Sequence, residues 1–162
     1  MGDLEVPRIF QCIPEIDFDS GYRYFLRNMD NYKRALLAIL KSVKSKLPIL
    51  YSMESTREYE GLPVISRTLQ IMFSNIGAKG LSHKTYQLEA ALLNYDMAFQ
   101  NTLEDYIISL EDFTKNLEEL LKKLELNKDI MKETKLSFLN YDFTKTKESI
   151  KLSSDLLERK TV

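Results

Sequence analysis

The apolar residues Leu103, Tyr106, Ile107, Leu110, Phe113, Leu117, Leu120, Leu121 and Leu124 recur mostly at steps of three and four. An α-helix turns about 100° per residue, so this spacing gathers them on one face of a long helix. Glu104, Asp105, Glu111, Glu118, Glu119 and Lys122 supply the solvated face. Such a stripe has to be buried against a neighbouring layer. No useful length of the chain alternates with the two-residue period of a strand. Only 5 Gly and 4 Pro occur in 162 residues, too few for a turn-rich β architecture. The chain therefore reads as all-α, an antiparallel bundle with short connections.

The other segments follow the same period. Residues 1–16 are expected to form an irregular lead-in, broken by Pro7 and Pro14. Asp17 or Asp19 caps a short helix to about Asn28, offering Tyr22, Phe25 and Leu26 to a core. Asp30 opens a longer helix with Leu36, Leu37, Ile39, Leu40, Val43, Leu47 and Leu50, which Pro48 kinks or brings to its last turns. Lys33, Arg34, Lys41, Lys44 and Lys46 read as its solvated face. A third helix starts at Arg57 or Gly61 and ends at Asn75. Pro63 suits its first turn and Gly77 its left-handed cap, and Gly77 and Gly80 break the pattern. A fourth holds Leu81, Tyr86, Leu88, Leu92 and Tyr95. After a polar break at 94–96, the fifth runs to about Leu126. A smaller helical pair is expected after Asn127, where Leu139-Asn140-Tyr141-Asp142 copies Leu93-Asn94-Tyr95-Asp96. The organisation is then a lead-in over 1–16, a bundle over 17–126 and a helical extension over 127–162.

Composition narrows the function. The length suits one domain with room for an appendage, and a chain of this size buries roughly two-thirds of its unfolded surface without a metal or disulfide staple. Hydrophobic residues at 44% and charged residues at 29% describe a soluble, foldable chain. A net charge of −1 gives no drive toward nucleic acid or an anionic membrane. No apolar run reaches the ~20 residues that cross a bilayer. The N-terminus has no signal core, and Val6 stands where a myristoylation site needs Ser or Thr. A single cysteine, Cys12, fits a reducing compartment, so the expected location is cytoplasmic. One His and one Cys cannot close a zinc site, and no acidic run has calcium-loop spacing. Gly77-Ala78-Lys79-Gly80 is too short for a phosphate loop and follows no strand. Neither a metal nor another cofactor is expected.

The third helix is the most specific segment. Leu62, Ile65, Leu69, Met72, Phe73 and Ile76 fall within roughly a third of the circle and form its buried stripe. Arg67 lies roughly opposite, with Val64, Gln70, Ile71 and Ser74 around it. Val64 and Ile71 flank Arg67 by one turn on either side. Two readings are open: ordinary exposed apolars, or ones covered by the C-terminal tail; and a small docking patch with a charge at its centre.

The run Arg67-Thr68-Leu69-Gln70-Ile71-Met72-Phe73-Ser74-Asn75-Ile76-Gly77-Ala78 resembles the central segment of histidine-phosphotransfer (HPt) domains. Those four-helix bundles relay phosphate between receiver domains. Their helix typically reads His-x-Leu-Lys-Gly or His-x-Leu-Lys-Ser and runs into Asn-Ile-Gly-Ala. Leu69 and the stretch from Asn75 to Ala78 match in register, whereas Arg67, Gln70 and Ile71 replace the His, Lys and small residue. Ile13-Pro14-Glu15-Ile16-Asp17, Asp30-Asn31-Tyr32, Leu47-Pro48, Leu81 and Leu88-Glu89 are similar to other parts of the family pattern, so the likeness covers about 12–126. Residues 131–158 resemble a helical tail that follows some HPt domains.

The resemblance implies an antiparallel four-helix HPt-like bundle with a short N-terminal helix and a C-terminal helical extension. It also implies that the relay chemistry is gone. A phosphoryl acceptor needs a lone pair, which neutral imidazole has and guanidinium, with a pKa above ~12, lacks. Gln70 brings no charge to phosphate, and Ile71 crowds the approach of a receiver's active-site edge. The expected role is therefore non-enzymatic. The chain would bind a receiver domain or sensor kinase of a two-component system through Val64, Arg67, Gln70, Ile71 and Ser74. A structural or oligomerisation module of a larger signalling protein is the alternative. An active phosphotransferase using His83, the sole histidine, is a third reading, and His83 lacks the flanking pattern of a relay site.

Overall fold

The computed structural model describes the backbone of residues 2–139 and the side chains of 6–126. The chain divides into two compact units, 1–121 and 122–162. Helices α1 (Gly2–Ile9), α2 (Phe18–Tyr24), α3 (Met29–Thr56), α4 (Leu62–Asn75), α5 (Lys79–Leu93) and α6 (Phe99–Leu139) follow in order, with a 3-10 turn at Phe10–Cys12. No strand occurs among the described residues, so the all-α expectation holds.

The helix starts follow capping chemistry. Asp17 accepts from the Ser20 amide at the start of α2, and Asn28 accepts from the Asn31 amide at the start of α3. Each satisfies a backbone N–H that has no partner within its helix. Pro48 lies inside α3 and does not end it. Leu50 and Met53 are buried beyond the proline, and this packing keeps the last turns helical to Thr56.

Three helix ends share one hydrogen-bond pattern, with a left-handed residue just past the helix. After α4, Gly77 has φ +91°, with Ala78 N–H donating to Phe73 and Gly77 N–H to Ser74. Leu26 (φ +55°) after α2 and Tyr95 (φ +52°) after α5 occupy the same position. This Schellman geometry satisfies the last helical carbonyls.

Side-chain bonds give the helix neighbours and their directions. Lys44 pairs with Glu118, Tyr51 bonds Glu111 and Gln100 donates to the Glu54 carbonyl, so α3 and α6 run antiparallel. Arg67 pairs with Glu89 and Ser82 donates to the Gln70 carbonyl, which sets α5 antiparallel to α4. Thr85 bonds Tyr106 and Lys84 donates to Ser109, tying α5 to α6. Between these helices lie fully buried side chains, among them Leu36, Ile39 and Val43 of α3, Leu69 and Phe73 of α4, Leu88 of α5 and Leu103, Leu110 and Phe113 of α6. Phe73 and Phe113 meet edge to face at 5.3 Å. Each large side chain buried this way contributes about 1.5–3 kcal/mol.

The start of α2 is bolted to the end of α4. Asp17 N–H donates to the Gly77 carbonyl at 2.9 Å, and the Tyr32 hydroxyl donates to the Ile76 carbonyl at 2.8 Å. A Cβ on Gly21 or Gly77 would lie 2.2 Å from a backbone oxygen across this junction, so the close approach requires glycine at both.

Several expectations are corrected. The lead-in is not irregular: Gly2–Ile9 is helical with Pro7 inside it, and Phe10, Ile13 and Ile16 are buried. Tertiary burial outweighs the single hydrogen bond lost at Pro7. The α2 helix stops at Tyr24 rather than Asn28, and Leu26 is turned out of the core by its left-handed backbone. The fourth helix ends at Leu93, so Tyr95 lies beyond it, and Tyr95 and Tyr86 are both exposed. Gly80 lies within α5 and breaks nothing. The α6 helix does not stop at Asn127 but continues to Leu139, because one asparagine inside a helix costs well under ~1 kcal/mol. The rest of the expected C-terminal pair, from Asn140 on, lies outside the described residues.

Candidate functional site on the outer face of α4

The α4 helix is held at both ends. Gly61 supplies a left-handed entry (φ +85°), Pro63 sits in the first turn, and Gly77 closes the last. Leu62, Leu69 and Phe73 face the core with Ile76 just beyond, while Ile65 and Met72 are half-buried at the edges. Ser66 is also buried, a polar position inside the stripe that the periodicity does not flag.

The opposite face carries the residues singled out from the sequence. Val64 is 69% exposed and Ile71 61% exposed, with Arg67 between them. Ser74 is exposed, while Gln70 is half-buried and its backbone carbonyl is taken by Ser82. All five therefore lie along one side of α4, with Gln70 nearest to α5.

Arg67 is not free-standing. Its Nε donates to Glu89 Oε1 at 3.1 Å. The Arg67 side chain is 69% exposed and that of Glu89 only 9%. The bonded acid is thus set into the protein body while the guanidinium stands at the surface. Glu89 belongs to the side of α5 that meets α4, as Ser82 does, seven positions earlier. Tyr86 and Leu93 fall within about 60° of Glu89 on the same helix and are exposed. Apolar side chains from both helices thereby flank the ion pair. Sequence reasoning assigns no site role to Glu89, Tyr86 or Leu93. A buried-edge carboxylate at position 89 breaks the apolar period of α5, and that is the one signal that could have marked it.

His83 lies six positions before Glu89, about 9 Å along α5 and about 120° around it. That is under two turns from the level of Arg67. Its ring is exposed and stacks on Tyr86 at 6.5 Å. Among the described residues, no three His, Cys, Asp or Glu side chains are grouped to hold a metal ion. Nor is any described helix long and apolar enough to cross a membrane. Two surface clefts lie elsewhere, one lined by Pro48, Ser52 and Tyr59, the other by Phe10, Ile16 and Tyr22. Comparison with protein-family models, with curated proteins and with solved structures finds no match to this chain.

Proposed function

We propose that this chain is a non-catalytic signalling module of the HPt type. In this reading α3, α4, α5 and α6 form the antiparallel four-helix bundle, and the outer face of α4 docks a receiver domain or sensor kinase in the cytoplasm without accepting phosphate. The observation that carries it is the exposed Arg67 at the position where the family pattern has its phosphate-carrying histidine. An exposed guanidinium between two exposed apolar residues complements the acidic pocket of a receiver bordered by apolar surface. It cannot attack phosphorus, because it has no available lone pair.

Binding and transfer are tested separately. Val64→Asp and Ile71→Lys change surface residues only, so both variants should melt with the wild type. Titration against a panel of purified receiver domains with Mg²⁺ should show binding by the wild type and loss of about tenfold or more with the double variant. Labelled phosphate from a phosphorylated receiver should not appear on the chain. Label that vanishes in His83→Ala would instead establish the phosphotransferase reading. A double variant that binds as tightly as the wild type means the docking face is elsewhere.

The structural or oligomerisation reading draws on the same exposed residues, since Val64, Ile71, Tyr86 and Leu93 offer apolar surface to a second copy. Sedimentation of the isolated chain separates the two. A stable dimer that binds no receiver, and that Ile71→Lys dissociates, favours assembly over docking.

A further inference from the structure

We propose that Glu89 is a positioning residue. It grips Arg67 by Nε, so that the two terminal amino groups form a fixed fork for a carboxylate of the docking partner. This inference rests on the docking reading above and names how that face would recognise its partner.

The asymmetry of the pair is the first ground. Glu89 is almost enclosed and Arg67 is mostly exposed. A side chain set into the body locates the one at the surface, rather than the reverse. The atom used is the second ground. Glu89 Oε1 takes the Nε–H at 3.1 Å, and among the described residues the terminal nitrogens of Arg67 have no other partner. The guanidinium is planar, so holding Nε limits how its plane can turn. The edge formed by Nη1 and Nη2 keeps the parallel donors that pair with both oxygens of a carboxylate.

Two consequences follow. An unheld arginine loses much rotamer freedom when a partner orders it, whereas one already held loses less. Glu89 also offsets part of the guanidinium charge, so the direction of the fork adds to the attraction of the acidic pocket in selecting the partner. Lysine at position 67 would keep the charge but has a single nitrogen, which cannot satisfy Glu89 and present a fork together.

The test follows the Arg67 Nε–Hε group by ¹⁵N relaxation in the full chain, its signal assigned by its absence in Arg67→Gln. Receiver affinity is titrated in parallel against the same panel of purified receiver domains. The heteronuclear NOE should be as high as that of the α4 backbone in the wild type. It should stay high in Glu89→Gln, which keeps an oxygen acceptor, and fall in Glu89→Ala and Glu89→Met, the latter keeping the volume. Affinity should drop about two- to tenfold in the Ala and Met variants and in Arg67→Lys, and return to within about twofold in the Gln variant. A mobile Nε–Hε in the wild type overturns the anchoring, whatever binds. A Met variant that frees Nε–Hε yet binds like the wild type overturns the positioning role alone. A rigid Nε–Hε in a wild-type chain that binds no receiver sinks the docking reading, and the purpose assigned to the fork with it, while leaving the ion pair intact.

Discussion

Replacing Gly77 by alanine should be among the most damaging single changes available to this fold. The residue sits at φ +91°, where an L side chain is strained by about 1–2 kcal/mol. A Cβ there would also lie 2.2 Å from the Asp17 carbonyl oxygen and 2.9 Å from the Gly21 amide nitrogen. Both are backbone atoms at the start of α2, so relief requires α2 to move away from the end of α4. That movement pulls on the Asp17 N–H to Gly77 bond, and any accompanying shift of the α4 end pulls on the bond from the Tyr32 hydroxyl of α3 to Ile76. Each of those is worth about 0.5–1.5 kcal/mol net, and more if the buried carbonyl is left unpaired. The sum is about 2–5 kcal/mol, a large share of the roughly 5–15 kcal/mol typical of a domain. Gly61→Ala is the internal control. It shares a positive φ (+85°) but has nothing within 4 Å of the added methyl, so only strain of about 1–2 kcal/mol remains. Urea denaturation followed by circular dichroism in the far ultraviolet measures both. If Gly77→Ala costs no more than Gly61→Ala, the junction between α2 and α4 does not bear on stability as described.

The same cap geometry predicts the opposite sign elsewhere. Tyr95 holds a left-handed conformation with its side chain 92% exposed, so Tyr95→Gly removes strain and no packing, and the urea midpoint should rise by an amount equivalent to about 0.5–1 kcal/mol. Alkaline pH should destabilise the fold through Tyr32 and Tyr106. Burial pushes both hydroxyls well above the usual tyrosine value, helped at Tyr32 by the nearby Asp17 charge and opposed at Tyr106 by its bond to Thr85. In the unfolded chain both titrate near pH 10, so above that pH the folded form holds protons that the unfolded form has released. The stabilisation is complete below about pH 10 and should fall above it by about 1.4 kcal/mol per pH unit for each buried tyrosine. Urea titrations at about pH 9 and about pH 11, on either side of the free tyrosine value, read the loss, and Tyr106→Phe should show roughly half of it. A Tyr106→Phe variant with the full alkaline slope would assign the effect to other groups. Phe113→Ala removes the ring that meets Phe73 and should cost about 3–5 kcal/mol by the same denaturation assay, with a loss under about 1 kcal/mol refuting its place in the core.

Much of the fold is legible in the sequence because burial on a helix has a period. Leu103, Leu110, Phe113 and Leu117 declare the inner side of α6 without any knowledge of its neighbours, and the stripe from Leu62 to Ile76 leaves Arg67 outside by the same arithmetic. Gly77 is readable as a cap because glycine adopts positive φ at low cost. Leu26 and Tyr95 mislead for the converse reason. They fill the same left-handed cap position without the residue that advertises it, and their hydrophobicity suggests burial.

What an isolated helix cannot reveal is which of its polar edges another helix will cover. Composition and period alone identify an all-helical chain, its main apolar stripes and an arginine facing outward. Only the packing of α5 beside α4 encloses Glu89 and brings its carboxylate to Nε of Arg67, residues separated by a loop and most of two helices. The period is a local property of the backbone, repeated every turn. The ion pair exists through the distance between two axes, and that distance is set by every buried side chain between them.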